Sequence, residues 1–135
     1  MIQHSFYIDK YDWFVHSFFA VTHYDTEKIM DRLCQIGCDE RSLRRAYKNL
    51  SSGKLNTGLT YSNNRSRASV VVIGLTSSAH EFVNSFVHET DHLCRHIGKY
   101  MGMSPNGEEV SYLCGDVAEL MFKKCHHLLC DRCRD

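Results

Sequence analysis

The spacing of apolar and polar positions changes several times along the chain, and each change marks an element. Residues 5–8 and 13–21 (Trp-Phe-Val-His-Ser-Phe-Phe-Ala-Val) are dense in aromatic and β-branched side chains that suit a pleated surface, and Lys10-Tyr11-Asp12 between them suits a hairpin turn. From Asp25 the period becomes helical: Ile29, Met30, Leu33 and Ile36 recur three and four apart, and Gly37 supplies a stop. A second helix is predicted over 39–50, with Leu43, Ala46, Tyr47 and Leu50 turned inward. Strand character returns over 57–62 and 68–75 around the polar loop 63–67. Ser78-Ala79-His80-Glu81 has the form of a capping box, whose serine and glutamate side chains satisfy free amide donors at a helix start. The helix it opens is predicted to reach about Lys99 or Met101, with Phe82, Val83, Phe86, Val87, Leu93 and Ile97 on its core side. The segment 102–107 ends in a Pro-Asn-Gly turn, and a last helix follows over 108–124. The predicted fold class is α+β, with the two longest helices last.

Composition narrows this picture. A chain of 135 residues accommodates one ordinary domain, and no linker, repeat or low-complexity tract divides it, so a single domain is predicted over 1–124 with a Cys/His tail over 125–135. With 43% hydrophobic and 24% charged residues, the chain is neither disordered nor a membrane protein. Sixteen Lys+Arg balance sixteen Asp+Glu, which counts against a nucleic-acid partner, because backbone binding needs excess positive charge to release counterions. No window approaches the roughly 18 apolar residues of a membrane span. The first ten residues lack the pattern of a signal peptide, so the expected location is cytoplasmic and the cysteines are expected to be reduced thiols or metal ligands. The basic positions Arg41, Arg44, Arg45 and Lys48 read as a solvated helix face, with an acidic or nucleic-acid partner as the alternative.

The unusual counts are nine His and seven Cys, and their spacing decides which of them share chemistry. Inside the longest predicted helix lies His88-Glu89-Thr90-Asp91-His92, the pattern H-E-x-x-H. Histidines at i and i+4 stand one turn apart on one face, so both imidazoles can reach one zinc ion at about 2.0–2.1 Å. Glu89, beside the first of them, can then take a proton from a water activated by the metal. The next helix opens with Gly107-Glu108-Glu109, which offers a carboxylate to complete the site. His96 extends the stripe, but eight residues of helix rise about 12 Å, too far for His88 and His96 to share a tetrahedral ion. His96 is then a residue of the cleft or of the surface.

These residues resemble the zincin metallopeptidases, and among them the gluzincins, whose third ligand is a glutamate on a later helix. The resemblance covers about residues 68–122. The gluzincin helix typically carries Glu, Asp four residues on, and a small residue three beyond; here Glu108, Tyr112 and Gly115 occupy those offsets. The resemblance therefore favours Glu108 over Glu109 as the ligand and makes Gly115 a close contact between the two helices. Tyr112 departs from the aspartate that orients a ligand histidine in the family. The metzincin pattern would need Gly at 95 and His at 98, where this chain has Arg95 and Gly98, and is excluded. The chain is also similar to small zincin-like proteins encoded by phages and mobile elements.

The resemblance implies a zincin-like fold, a small mixed or antiparallel sheet packed on the motif helix and followed by the glutamate-bearing helix. It also implies a zinc-dependent peptidase. His88, His92 and Glu108 would hold Zn2+, Glu89 would act as general base, and a peptide or protein would be the substrate. A peptide could pair along Val70-Val71-Val72-Ile73 as on the edge strand of zincins, although four consecutive β-branched residues equally describe a buried core strand. Candidates to stabilise the oxyanion are Tyr100, His96, His80 and Tyr112. In the tail, Cys125-His126-His127 and Cys130-x-x-Cys133 have ligand types and spacing for a second zinc, alone or with Cys34 and Cys38; frayed, reduced thiols are the other reading. Cys94 and Cys114 should pack within helices as small apolar residues. Two other functions stay open, a non-catalytic zincin-like module and a nucleic-acid-associated protein using the Arg41, Arg44, Arg45 and Lys48 face.

Overall fold

A computed structural model of the chain describes residues 1–134. It is an α+β fold of four strands and four helices: β1 (Ile2–Ile8), β2 (Trp13–Val21), α1 (Thr26–Gln35), α2 (Glu40–Ser51), β3 (Gly58–Asn63), β4 (Ala68–Gly74), α3 (Ala79–Tyr100) and α4 (Glu108–Cys125). The sheet is mixed, in the order β1-β2-β4-β3. β1 and β2 form the antiparallel hairpin expected around residues 10–12, β4 runs parallel to β2, and β3 returns antiparallel to β4.

β4 is therefore an interior strand, and all seven of its residues are buried. This removes Val70–73 as an edge for peptide pairing and explains the run of β-branched residues: a strand covered on both faces needs no polar side. Its side chains alternate between two cores. Val70 and Val72 join Phe18, Ile29, Leu33, Ala46 and Leu50 beneath α1 and α2. Val71 and Ile73 join Trp13, Phe19, Phe82, Leu93, Val117 and Met121 beneath α3 and α4. In β2 the alternation is interrupted by an irregularity between Phe19 and Val21, where Ala20 takes a φ of 59°. That extra residue turns Val21 to the same side as Phe18, as a bulge must.

Helix boundaries follow local chemistry. The Asp39 carboxylate accepts the Ser42 N–H at 2.7 Å to cap α2, and the Ser78 hydroxyl accepts the Glu81 N–H at 3.3 Å to cap α3. The Glu81 carboxylate reaches one residue further back than a capping box would, taking the N–H and hydroxyl of Ser77. Gly102, at φ +71°, closes α3: its N–H bonds to the Lys99 carbonyl and the Met103 N–H to the Gly98 carbonyl, a Schellman arrangement. α4 then folds back along α3, with Gly98 facing Val110 and Met103. Gly98, rather than Gly115, marks the close approach, since a Cβ on Gly115 would meet nothing within 4 Å. Tyr47, Val83 and Val87, expected inward, are exposed, because each lies at the margin of a stripe whose centre is already filled.

The tail is also docked. Cys125 and Leu128 are buried in the core under α3, the Asp131 carboxylate accepts the Ala79 N–H at 2.8 Å, and Arg134 bonds to Thr76 and to the Leu128 carbonyl. The expectation of a frayed end gives way through residue 134; Asp135 lies outside the described residues.

One glycine joins fold and site. Gly58 opens β3 at φ +156°, and a Cβ there would stand 1.8 Å from the Val72 carbonyl oxygen and 3.2 Å from Glu89 Cγ. Gly58→Ala is expected to destabilise the fold by at least about 3 kcal/mol, since the backbone clash adds to the conformational penalty. Gly102→Ala, with open space around it, should cost only about 1 kcal/mol. Urea unfolding of the two variants checks the difference.

Candidate active site

α3 crosses the sheet over β3, and β3 presents alternate faces to its two sides. Leu59 and Tyr61 pack with the α1/α2 core, so Gly58, Thr60 and Ser62 face α3. Each of these is small or carries a hydroxyl. Above them lie Glu89 and His96, seven residues and two turns apart on one stripe of α3.

Glu89 is only 2% exposed. Its Oε2 accepts the Thr57 hydroxyl at 2.6 Å and its Oε1 the Thr60 hydroxyl at 2.9 Å. A buried carboxylate without such partners would cost several kcal/mol, and hydrogen bonds to a charged acceptor are the stronger kind. The pair of threonines thus makes the position tenable and fixes both oxygens.

His88 and His92 stand at the exposed rim of the same cleft, which has a volume of about 540 Å³ and is walled by residues 54–60. Their Nε2 atoms approach to 3.2 Å, and Glu89 Oε2 lies 3.9 Å from His88 Nε2. Two nitrogens bound to one tetrahedral ion at about 2.0–2.1 Å lie about 3.3–3.4 Å apart, so the pair already has the bite of a shared metal.

The third expected ligand is elsewhere. Glu108 is exposed in the first turn of α4, where a negative charge complements the helix N-terminus. The Gly98–Val110 contact places that turn about 15 Å along α3 from His88. The turn over 102–107 is short, so α4 starts beside the last turn of α3 rather than beside the motif. Level with the histidines, α4 presents Val117 and Met121 to the core, and Thr90 touches the Met121 sulfur at 3.9 Å. Glu109 is drawn away too, accepting the Tyr11 hydroxyl at 3.3 Å beside Lys10. Among the described residues no three His, Cys, Asp or Glu side chains are gathered to hold one ion. The residues present fit a two-histidine metal pair and do not fit the three-ligand gluzincin set.

His96 belongs to the cleft, half-buried beside His92. Its Nδ1 lies 2.7 Å from the Ser62 hydroxyl, Ser62 lies 2.6 Å from the Ser69 hydroxyl, and Trp13 Nε1–H donates to Ser69 at 2.9 Å. The indole can only donate, and fully buried Ser69 has no other side-chain partner than Ser62. Ser69 therefore donates to Ser62; with Ser62 donating in turn to Nδ1, the ring proton of His96 would reside on Nε2. The Thr57, Thr60, Ser62, Ser69 and Trp13 roles were missed from the sequence. The alternation of Gly58, Thr60 and Ser62 with Leu59 and Tyr61 was the available signal for the strand's polar face.

The other oxyanion candidates are placed apart from the cleft. Tyr100 packs edge-on against Trp13 under Arg67, Tyr112 projects from α4, and His80 is exposed in the first turn of α3. Cys94 is buried beside Cys114, and burial together with their hydrogen bond pushes its thiol well up, so it packs as a small apolar group. Cys34 and Cys38 sit at the end of α1, and burial pushes Cys38 up to about 11. Arg41, Arg44, Arg45 and Lys48 are exposed on α2, with Arg44 paired to Glu40. Among the described residues no helix is long and apolar enough to cross a membrane. No protein-family model, curated protein or solved structure matches the chain.

Burial, then the nearby His92, lowers the pKa of His96 below the ordinary 6.5. The unfolded chain therefore binds the proton more readily, and stability should rise with pH through this window. His96 is expected to cost nothing above about pH 7 and to destabilise the fold progressively as pH falls below 6.5 toward its own lower pKa. His96→Gln should flatten part of that acid slope in urea titrations at pH 5 to 7.5, while 15N spectra of the parent protein at pH 7.5 should show the Nε2–H tautomer.

Proposed function

We propose that the cleft is a zincin-like hydrolytic site acting on peptide bonds, with His88 and His92 holding a zinc ion. The observation that carries the reading is the 3.2 Å separation of the two Nε2 atoms, with the buried Glu89 carboxylate 3.9 Å from one of them. Zinc there would supply Lewis acidity and make water a usable nucleophile near neutral pH. The chain's own groups divide the remaining work. Glu89 Oε2 accepts a proton from the attacking water, and Thr57 and Thr60 keep that carboxylate aimed and separate from the metal pair. His96, with Nε2–H directed by the Ser62 bond, serves as the hydrogen-bond donor to the developing oxyanion.

A peptide substrate is supported by the position of β3. It is the edge strand beside the cleft, so an extended chain pairing along its outer edge would pass the histidines. Two protein ligands bind more weakly than three, and the metal should be lost readily to chelators.

Protein purified with zinc in the buffer is expected to hold about one zinc per chain by elemental analysis, lost in His88→Ala and in His92→Ala. Glu108→Gln should retain it, as should Glu89→Gln. Against a peptide library, Glu89→Gln should lower cleavage at least about 100-fold. Zinc retained without any cleavage by the parent protein would favour the non-catalytic module, and no zinc at all would overturn the site.

A further inference from the structure

The docked tail brings two exposed thiols together outside the cleft. Cys130 and Cys133 bracket a turn in which the Cys133 N–H bonds to the Cys130 carbonyl at 3.0 Å. A turn closed in this way holds its first and fourth Cα atoms within about 7 Å, and disulfides span about 4.4–6.8 Å. The turn is fastened on both sides. Asp131, between the cysteines, bonds to the first N–H of α3, and Arg134, just after them, grips Thr76 and the Leu128 carbonyl. Such anchoring is not that of a fraying end, and it keeps both sulfurs at the surface.

We propose that Cys130 and Cys133 form a thiol–disulfide exchange site whose substrate is a disulfide, of low molecular weight or exposed on another protein. In the forward step the Cys130 thiolate attacks one sulfur of the substrate RSSR, forming a mixed disulfide and releasing one RS⁻. Cys133 gives up its proton to solvent and attacks the Cys130 sulfur, closing the Cys130–Cys133 disulfide and releasing the second RS⁻. The dithiol loses two electrons and two protons, and the substrate disulfide becomes two thiols. The two cysteines are electrostatically unequal, as this order of attack requires. The neighbouring Cys133 thiol and the N–H groups of Arg132 and Cys133 hold the pKa of Cys130 below that of an ordinary cysteine. Cys133, beside it, is pushed up by the Cys130 sulfur and serves as the protonated resolving thiol. The alternative role, a second zinc site, lacks ligands: among the described residues neither histidine of the tail nor Cys125 completes a group of three with this pair. Cys125 is buried, and its thiol is pushed up to about 12.

The full chain, reduced and then equilibrated in glutathione buffers of increasing oxidation, tests the assignment. Alkylation, trypsin digestion and mass spectrometry are expected to recover fragments 125–132 and 133–134 joined by a disulfide. Cys133→Ser should instead accumulate a glutathione adduct on Cys130, and Cys130→Ser should form neither product. At pH 7 the Cys130 thiol should alkylate about tenfold faster than exposed Cys34, which serves as the control in the same molecule. Equal rates for Cys130 and Cys34, no linked fragments in any buffer, or stoichiometric protection of both thiols by zinc would each overturn the proposal.

Discussion

Burying the Glu89 carboxylate where α3 crosses β3 constrains more of this molecule than any other single contact. An ionised group at 2% exposure must find donors, and Thr57 and Thr60 are the two that the crossing supplies. Their reach sets the rotation of α3 about its own axis. It also requires that the strand beneath have no side chain at Gly58, where the Glu89 methylenes lie. Once α3 is turned this way, the residue before Glu89 and the one three after it face the cleft. The residue seven after comes to rest over Ser62. The close approach of the His88 and His92 imidazoles and the Trp13–Ser69–Ser62–His96 chain are consequences of one helix orientation.

That orientation rests on a sheet that separates two cores. β4 is at its centre, handing Val70 and Val72 to one side and Val71 and Ile73 to the other, and Ser69 stands among the latter as the polar exception. A hydroxyl in a fully apolar strand would be a liability if it were alone. Here it accepts from the indole and donates onward, so a chain of three hydrogen bonds runs from Trp13 to His96. The direction of that chain is imposed at the far end, by a group that can only donate. The chain thus ties a cleft histidine to an indole two strands away on the same face of the sheet.

Much of this was legible in the sequence because period reports burial. The helical spacing from Ile29 to Ile36, the β-branched run of 70–73 and the stripe from Phe82 to Ile97 each identified their element, and the H-E-x-x-H spacing identified a pair of imidazoles on one face. What periodicity lacks is the partner of each face. Nothing in Val70-Val71-Val72-Ile73 says that strands flank it on both sides, and nothing in Thr57 or Thr60 marks them as donors to a residue thirty positions away. Glu108 lies apart from the histidines for a geometric reason. Glu108 and Gly115 stand at the gluzincin offsets, yet the position of a side chain depends on where its helix begins, and a turn ending at Gly107 starts α4 at the far end of α3.

In the proposed reading, the loss of that third carboxylate changes what must be true of the one that remains. A carboxylate 3.9 Å from an imidazole that binds a metal is itself a potential ligand, and a flexible glutamate would swing inward and be consumed in that role. α4 cannot substitute, because the positions level with the histidines carry Val117 and Met121, whose replacement by an acid would open the core. The distinction between base and ligand then rests on the threonines. With Oε1 tied to Thr60 and Oε2 to Thr57, rotation toward the pair would break two charge-assisted hydrogen bonds in a site that offers no others. The hydroxyls that allow Glu89 to be buried are the same groups that keep it a proton acceptor.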